Sequence, residues 1–335
     1  MGPPPLPAPP PATPLLEVRD LSERFDTDDG PVHAVDRLSF SLSAGEVLGI
    51  VGESGCGKSV TCLALLRLLP ETAVIGGRAV FDGGDLLALK PRELRRVRGR
   101  DIALVFQEPA TSLNPVLTVG HQIGEVLRKH LGLSRREARL RTLELLRLVD
   151  IPAPERRVGA YPHELSGGMR QRVMIAMALA CDPKVLIADE PTTALDVTVQ
   201  AGILDLLRDV RDRLGTAIVL VTHNLGVVAD IADRVLVMYA GRAAEEAPVA
   251  DLFAAPQHPY TIGLLGAIPR VRGDDATRTR LREIPGRVPT LRELPTGCAF
   301  ADRCPRADGL ACTSVPELRA VRPAHRVACF HPGPE

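Results

Sequence analysis

The sequence has no tryptophan, only 3% aromatic residues and no net charge, because 41 basic residues balance 41 acidic ones. A nucleic-acid-binding surface usually carries a basic patch or aromatic side chains on which bases stack, so this composition argues against nucleic acid as a partner. No segment reaches the roughly 18 to 20 consecutive apolar residues of a membrane span. The Pro-rich residues 1–14 lack the basic and apolar regions of a secretory signal, and we expect them to be disordered.

Short apolar runs alternate with helical patterns along the chain, which is typical of an α/β fold. The runs are continuously apolar, as expected of parallel strands buried on both faces. The predicted strands are Leu15–Val18, Glu46–Val51, Asp101–Phe106, Lys184–Asp189, Ala217–Thr222 and Arg234–Tyr239. The predicted helices are Gly57–Leu69, Val119–Leu131, Ser134–Val149, Gly167–Cys181 and Val197–Leu214. From about Pro269 the composition shifts to Pro, Arg and Gly, so we expect one domain over 15–270 and a second over 271–335.

The stretch GIVGESGCGKS, Gly49–Ser59, lies between a predicted strand and a predicted helix. It matches the phosphate-loop pattern G-x-x-x-x-G-K-[ST] in the context that this pattern requires. Its glycines let backbone N–H groups point at phosphate oxygens, and the helix start adds its positive dipole end. We expect Lys58 to reach the β- and γ-phosphates and Ser59 to bind Mg²⁺. The predicted nucleotide-contacting residues are Gly52, Glu53, Ser54, Gly55, Cys56, Gly57, Lys58, Ser59 and Val60.

A second nucleotide-directed element is KVLIADEP, in which an apolar strand ends in two carboxylates. Asp189 is expected to hold Mg²⁺ through water, and Glu190 to polarise the attacking water. Phosphate hydrolysis needs positioning and charge compensation more than covalent chemistry, so few residues suffice. Together with the phosphate loop, this element predicts nucleotide hydrolysis.

The segment LSGGMRQRVMIAMALA begins a helix with Ser166, Gly167 and Gly168, which is a second anion-binding helix start. The sequence here resembles the ATP-binding subunits of ABC transporters, with LSGGMRQ similar to their signature motif. FQEP, TALD and VTHN resemble their Q-loop, D-loop and H-loop, and Phe25 occupies the place of the adenine-stacking aromatic residue. The resemblance implies a RecA-like core with a helical subdomain over about 107–183.

Four further stretches, GESGCGKSV, FQEPATSLNP, YPHELSGGMRQR and HPYTIGLL, resemble the importer subfamily for oligopeptides, dipeptides and nickel. Val60 resembles its D-type ATPase subunit. This resemblance implies a heterodimer with an F-type ATPase subunit, two transmembrane permease subunits and an extracytoplasmic solute-binding protein, with no nucleic acid. The chain would lie peripherally on the cytoplasmic face of the inner membrane and drive peptide uptake, with nickel or another small solute as the alternative cargo.

The resemblance also implies residue roles. Glu190 would be the catalytic base, and His223 would contact the γ-phosphate and orient the water. Gln107 would sense Mg²⁺ and the γ-phosphate, and Mg²⁺ would be held by Ser59, Gln107 and Asp189. ATP on one subunit would be covered in trans by Ser166, Gly167 and Gly168 of the other. Because a chain cannot fold its own signature segment onto its own phosphate loop, we expect it to pair.

Four of the seven cysteines, Cys298, Cys304, Cys312 and Cys329, lie near the end of the chain with the spacing C-x5-C-x7-C-x16-C. Structural zinc usually uses close C-x2–4-C pairs, whereas an iron–sulfur cluster spreads over a larger core and needs four thiolates. The C-terminal domain of the same importer subfamily holds a 4Fe–4S cluster in some members. We therefore expect a cluster that acts as a structural clip. Zinc, free thiols or disulfides are the alternatives to the cluster, a redox or iron sensor is the alternative role, and His325 is a weaker alternative ligand to Cys329.

A rival hypothesis is an ABC-type ATPase that acts on nucleic acid, in which the cysteine module grips DNA or RNA. Such proteins usually insert a coiled coil or a zinc module between phosphate loop and signature, or carry two ATPase domains. The segment between Lys58 and Ser166 has no such insert and the charge is neutral, which disfavours this hypothesis. An exporter motor is disfavoured because the tail and the HPYT stretch resemble importers.

Overall fold

The computed structural model describes residues 13–28, 30–108, 112–193, 195–268, 283–290, 292 and 294–333, without the side chains of Leu310 and Cys312. Most of the predicted Pro-rich tail, Pro109, Ala194 and the predicted boundary near residue 270 lie outside the described residues. The described strands form two sheets, one of eight strands and one of four.

The eight-stranded sheet has the order β11-β12-β10-β9-β3-β8-β7-β6. Its strands are β3 (Val47–Val51), β6 (Ile102–Val105), β7 (Val185–Asp189), β8 (Ala217–Thr222), β9 (Arg234–Tyr239), β10 (Arg242–Pro248), β11 (Arg319–Arg322) and β12 (His325–Val327). Strands β6, β7, β8, β3 and β9 pair in parallel, and every residue of β3, β7 and β8 is buried. This burial on both faces explains their continuously apolar sequences.

The four-stranded antiparallel sheet has the order β2-β1-β4-β5. Its strands are β1 (Leu16–Thr27), β2 (Gly30–Leu42), β4 (Ala73–Phe81) and β5 (Gly84–Asp85). Sequence analysis predicted only the start of β1, because β2 and β4 mix buried, half-buried and exposed positions and contain charged residues and glycine. Leu38 and Phe40 from this sheet share a core with Leu48 and Ile50 of β3, so the sheet packs beside the phosphate-loop strand.

The helices are α1 (Lys58–Leu65), α2 (Pro91–Val97), α3 (Val119–Leu131), α4 (Arg135–Leu148), α5 (Pro154–Arg157), α6 (Gly167–Ala178), α7 (Val197–Leu214), α8 (Leu225–Ile231), α9 (Val249–Ala254), α10 (Pro259–Gly266) and α11 (Gly309–Thr313). Helices α3 to α6 lie between β6 and β7 in the chain, where the helical subdomain was predicted. Helix α1 ends four residues before its predicted end at Leu69, and α6 passes into a 3₁₀ turn at Leu179–Cys181. None of the described helices is long and apolar enough to cross a membrane.

The C-terminal segment joins the large sheet. Strand β12 pairs antiparallel with β10, and β11 pairs with β12 at the sheet edge. Glu245 and Glu246 of β10 are the residues opposite Val327 and Arg326 of β12. The two short strands of the tail therefore continue the sheet that contains the phosphate-loop strand, and the division at residue 270 stays a prediction.

Candidate active site

The phosphate loop connects β3 with α1 and is packed too closely for side chains at two of its glycines. A Cβ at Gly52 would lie 2.3 Å from the Met238 carbonyl oxygen, and a Cβ at Gly57 would lie 2.6 Å from that of Ala34. Gly57 also has a φ of 98°, a conformation that L residues rarely adopt. Glycine is thus required where the loop backbone passes over β9 and beside β2.

Lys58 begins α1 and points back along the loop. Its Nζ donates to the carbonyl oxygens of Gly52 at 2.8 Å and Glu53 at 3.0 Å, and the residue is only 5% exposed. The N-cap residue Gly57 has no side chain to cap the helix, so the amides at this start face the loop. Ser54 and Gly55 are exposed on the rim, Cys56 is buried beneath it, and Val60 is half-buried in the first turn. Backbone donors and a lysine around one curve are the chemistry that binds phosphates.

Ser59 and Asp189 meet across the base of the loop, where the Ser59 hydroxyl donates to Asp189 Oδ1 at 3.0 Å. Asp189 ends β7, and its burial raises its pKa, helped by the nearby charge of Glu190 and opposed by the Ser59 hydrogen bond. A hydroxyl and a carboxylate are oxygen ligands of the kind that Mg²⁺ prefers. A cation at this point would offset the unfavourable burial of the carboxylate.

The Glu190 carboxylate lies within hydrogen-bond distance of three side chains. Gln107 Nε2 and Thr193 Oγ1 donate to Glu190 Oε2 at 3.0 Å and 2.8 Å, and His223 Nδ1 lies 3.2 Å from Oε1. Burial alone would raise the pKa of Glu190, but the bonds from Thr193 and His223 outweigh it and lower the pKa. The side chain is therefore held as a carboxylate, the form in which it can accept a proton.

The backbone of Glu190 is strained and anchored. Its φ is 46°, which is uncommon for a residue other than glycine, and its N–H donates to the Val221 carbonyl oxygen of β8 at 2.9 Å. Strain of this kind persists where the surrounding structure fixes it, and it occurs often at active sites. It turns the carboxylate away from the line of β7 and toward Gln107 and His223.

The predicted signature residues lie at the start of α6. The Ser166 side chain caps this helix by accepting from the Met169 N–H, and Ser166 and Gly167 are exposed. A Cβ at Gly168 would lie 2.7 Å from Val199 Cγ1 of α7, so glycine is needed there. Across the described part of the chain, no hydrogen bond joins these residues to the phosphate loop. Phe25 lies half-buried on β1, opposite Val32 of β2.

Three of the four predicted cysteine ligands line one small cavity with Phe300 and Phe330. They are Cys298, Cys304 and Cys329. Backbone N–H groups of Arg306 and His331 donate to the sulfurs of Cys304 and Cys329 at 3.4 Å and 3.3 Å. The side chain of Cys312 lies outside the described residues, although α11, which carries it, accepts the Cys298 N–H through the Ala311 carbonyl at 2.8 Å.

Two findings limit the cysteine predictions. Within the described ranges, no three His, Cys, Asp or Glu side chains are arranged to hold a metal ion. The suggestion that His325 replaces Cys329 is wrong, because His325 is fully buried on β12, where its Nε2 lies 2.7 Å from Glu245 Oε1, and it does not line the cysteine cavity.

Sequence reasoning missed two contacts to the phosphate loop from the C-terminal part of the chain. The Glu53 N–H donates to the Tyr260 hydroxyl at 2.8 Å, and Arg303 forms an ion pair with the Glu53 carboxylate. Tyr260 belongs to the HPYT stretch, which drew attention only as a resemblance. No local pattern links Arg303 to a loop 250 positions earlier in the chain.

The fold and this set of residues define an ATP-binding cassette, and comparisons with known proteins agree. A family model described as "ABC transporter" matches residues 35–193, and one described as "Oligopeptide/dipeptide transporter, C-terminal region" matches residues 244–312. The dimeric cassette MJ0796, solved in a post-hydrolysis state with ADP and Pi, is similar with a TM-score of 0.64 and 29% identity. That similarity covers 70% of this chain and 98% of the other.

Curated relatives extend the match over nearly the whole chain. The probable peptide ABC transporter ATP-binding protein y4tR of Sinorhizobium fredii is 56% identical over 94% of each chain. The oligopeptide transport ATP-binding protein OppD of Salmonella typhimurium is 53% identical over 97% of this chain and 96% of its own. This chain therefore belongs to the ATP-binding subunits of ABC transporters of the oligopeptide importer type, and it is an ATPase.

Proposed function

We propose that this chain is the motor subunit of a peptide importer and that it hydrolyses ATP at the site formed by Lys58, Ser59, Asp189 and Glu190. The observation that carries the proposal is the Glu190 carboxylate, held by Gln107, Thr193 and His223 beside the phosphate loop. Peptide as the cargo is supported by relatives whose names describe peptide or oligopeptide transport. Selectivity itself would reside in the permeases and the solute-binding protein.

The phosphate loop supplies binding. Lys58 would exchange its bonds to the loop carbonyls for the β- and γ-phosphate oxygens, and the free amides at the start of α1 would complete the cradle. Ser59 and Asp189 fit Mg²⁺, and Gln107 would join them. When bound, Mg²⁺ supplies charge neutralisation on the phosphate oxygens. Phe25 would stack on the adenine from the antiparallel sheet.

Glu190 supplies the base. Its carboxylate is ionised and its backbone is fixed to β8, so it can accept a proton from a water molecule placed in line with the γ-phosphate. His223 is largely exposed on one side of Glu190, where it can contact the γ-phosphate and orient that water. Gln107 links the base to the segment that leads into the helices α3 to α6.

Pairing with a second subunit would complete the site. Ser166 and Gly167 are exposed at the start of α6, and in a head-to-tail dimer they would cover the nucleotide of an F-type partner. Closure on ATP and reopening after hydrolysis would switch two permease subunits between states. The chain would act peripherally, on the cytoplasmic face of the membrane.

The cysteine cavity is proposed to hold a 4Fe–4S cluster, with zinc as the alternative. Three thiols line one cavity and two of their sulfurs accept backbone N–H bonds, which suits cluster ligation. A cluster spreads its thiolate ligands over a larger core than a single ion does, and Cys312 would supply the fourth ligand. The cluster would clip together a segment that has few apolar residues of its own.

The variant Glu190→Gln tests the catalytic proposal. The amide cannot accept a proton, so ATP turnover by the assembled transporter should fall by about 10²- to 10⁴-fold while ATP binding persists. Glu155→Gln, which removes an exposed carboxylate paired with Arg147, is the matched control and should keep wild-type turnover. Undiminished turnover in Glu190→Gln would show that the base lies elsewhere. His223→Ala is the second probe of the same site.

Metal analysis of anaerobically purified protein tests the cysteine proposal. About four iron and about four sulfide per chain are expected, and both should be lost in Cys304→Ser. Cys181→Ser removes a half-buried thiol outside the tail and should leave the content unchanged. Zinc alone would establish the alternative, and the absence of iron and zinc from the wild-type protein would refute both.

A further inference from the structure

Glu53, the second residue of GESGCGKS, is held at three points. Its N–H donates to the Tyr260 hydroxyl at 2.8 Å, and its carbonyl oxygen accepts from Lys58 Nζ at 3.0 Å. Its carboxylate accepts two bonds from Arg303, with Nη1 to Oε2 at 2.7 Å and Nη2 to Oε1 at 3.1 Å. Two of these three contacts, those from Tyr260 and Arg303, come from the part of the chain after β10. This part therefore holds Glu53 in place at the start of the loop.

Arg303 is itself rigidly placed. Its side chain is only 4% exposed, its Nε donates to the Pro285 carbonyl oxygen at 2.8 Å, and its Nη1 also reaches the Tyr239 hydroxyl at 3.3 Å. The guanidinium carbon lies 5.8 Å from the ring centres of both Tyr239 and Phe300. The planar guanidinium is fixed on several sides and forms a bidentate pair with Glu53. Such a pair sets both the position and the orientation of the carboxylate.

The aromatic residues around Arg303 connect it with Tyr260. The rings of Tyr239 and Tyr260 are 4.6 Å apart, and those of Tyr260 and Phe300 are 5.5 Å apart. Tyr260 is fully buried, and burial raises its pKa, so its hydroxyl stays neutral and keeps its contact to the loop. Arg303 and Tyr260 therefore form one packed unit with two contacts on Glu53.

The turn that carries Arg303 is bounded by two of the cavity cysteines. The Ala301 N–H donates to the Cys298 carbonyl oxygen at 3.0 Å, and the Cys304 N–H donates to that of Ala301 at 3.1 Å. The 3₁₀ turn Ala301–Arg303 lies between them. The cluster proposed for the cysteines would therefore fix the turn that carries Arg303.

We infer that Arg303 is a positioning residue for ATP binding, which acts by holding the phosphate loop through Glu53. This inference rests on the proposed function, because it takes Lys58 and its loop as the nucleotide site. Arg303 does not touch the nucleotide. Arg303 fixes Glu53, whose carbonyl oxygen accepts a bond that Lys58 must give up in order to bind phosphate. The backbone of Glu53 also begins the curve of the loop that would receive the phosphates.

A role of this kind predicts a specific kinetic signature. If the loop contacts the phosphates alike before and during hydrolysis, a displaced loop weakens binding in both states. Arg303→Gln should raise the Kd for Mg-ATP of the purified full chain, and the KM of the assembled transporter, by about tenfold, with kcat changed by less than about twofold. Arg303→Lys should recover part of the affinity, because an ammonium retains the charge but not the two-pronged geometry.

Three further variants distinguish loss of the Arg303–Glu53 ion pair from general destabilisation of the C-terminal segment. Glu53→Gln should weaken ATP binding like Arg303→Gln, and the double variant should be no weaker than the worse single variant, because both remove one interaction. The matched control is Arg306→Gln. Arg306 also lies next to Cys304, but its guanidinium donates to the carbonyl oxygens of His331 and Gly333 rather than to the loop, so ATP affinity should stay at the wild-type value.

The outcomes are distinct. Wild-type ATP affinity in Arg303→Gln and Glu53→Gln would overturn the inference, and so would equal losses in Arg303→Gln and Arg306→Gln, since that result reports a loosened tail. If Arg303→Gln does not fold, Glu53→Gln and Arg303→Lys still decide the matter, because they leave the buried site filled. Failure of the wild-type chain to bind Mg-ATP, with Lys58→Ala unchanged from it, would instead refute the proposed function.

Discussion

At the scale of single residues, Glu23 on β1 is a fully buried carboxyl group whose two oxygens have no hydrogen-bond partner among the described residues. Burial raises its pKa from an ordinary value of 4.5 to about 8. The unfolded chain releases this proton near its ordinary pKa, whereas the folded chain keeps it until about pH 8. The folded state therefore binds more protons in this interval, and the free energy of unfolding falls as the pH rises through it.

Glu23→Gln removes the ionisable group at nearly constant size. We expect the variant to melt a few degrees above the wild-type protein at about pH 8.5, and this advantage should shrink as the pH falls toward about 4.5, where both states of the wild-type protein hold the proton. Melting curves across this range test it. Glu17→Gln on the same strand, whose carboxylate is partly exposed and paired with Arg19, should show no such pH-dependent gain. A constant difference at all pH values would contradict the assignment.

The sequence was enough to predict which residues would take part in the reaction, but not which side chains would contact them. Lys58, Asp189 and Glu190 follow buried strands within recognisable patterns, and the carboxyl ends of parallel strands meet at one edge of a sheet. Thr193, in contrast, entered the sequence analysis only as the first residue of TALD, and its bond to Glu190 became visible with the fold. Side-chain partners from separate elements depend on packing that no local pattern encodes.

At the scale of elements, β12 is attached to the large sheet by a buried polar group. Glu245 on β10 accepts the N–H groups of Gln257 and His258 at 2.7 Å and 2.9 Å, and its Oε1 lies 2.7 Å from His325 Nε2. Glu245 and His325 are both fully buried. A strand of three residues forms few ladder bonds, so this side-chain contact contributes much of its attachment.

His325→Ala should therefore loosen the end of the chain. Removal of one partner from a buried hydrogen-bonded pair destabilises by about 1–3 kcal/mol, and hydrogen exchange over residues 319–333 should accelerate accordingly. His331→Ala, which removes an exposed pair with Asp308, is the control and should change exchange little. Equal protection in wild-type and His325→Ala protein would show that the ladder alone holds β12.

The sequence predicted the parallel strands better than the others. Continuous apolar runs identify β7, β8 and β9 to within one residue, because burial on both faces leaves no polar position. Strand β10 was missed, since its residues Glu245 and Glu246 are acidic yet buried. Glu246 forms ion pairs with Arg234 on the neighbouring strand β9 and with Arg326, 80 positions further along the chain, so its burial depends on the assembled sheet.

At the scale of the whole molecule, the phosphate loop and the predicted signature residues belong to different parts of the chain, and the dimer interface proposed between them needs a second subunit. The phosphate loop lies between β3 and α1, whereas the exposed signature residues begin α6. Pairing with a second subunit stays a prediction of the sequence analysis. The attachment of the C-terminal segment to the phosphate loop was not foreseen, because the cysteine spacing pointed to a separate module and the contact passes through one arginine.

The contact between Arg303 and Glu53 also has a consequence for biosynthesis. Glu53 leaves the ribosome 250 residues before Arg303. A nascent chain can form β3 and α1 long before anything fixes the loop between them. Full nucleotide affinity would then arrive only after the segment with Arg303 has been synthesised, so that products truncated before it are poor consumers of ATP.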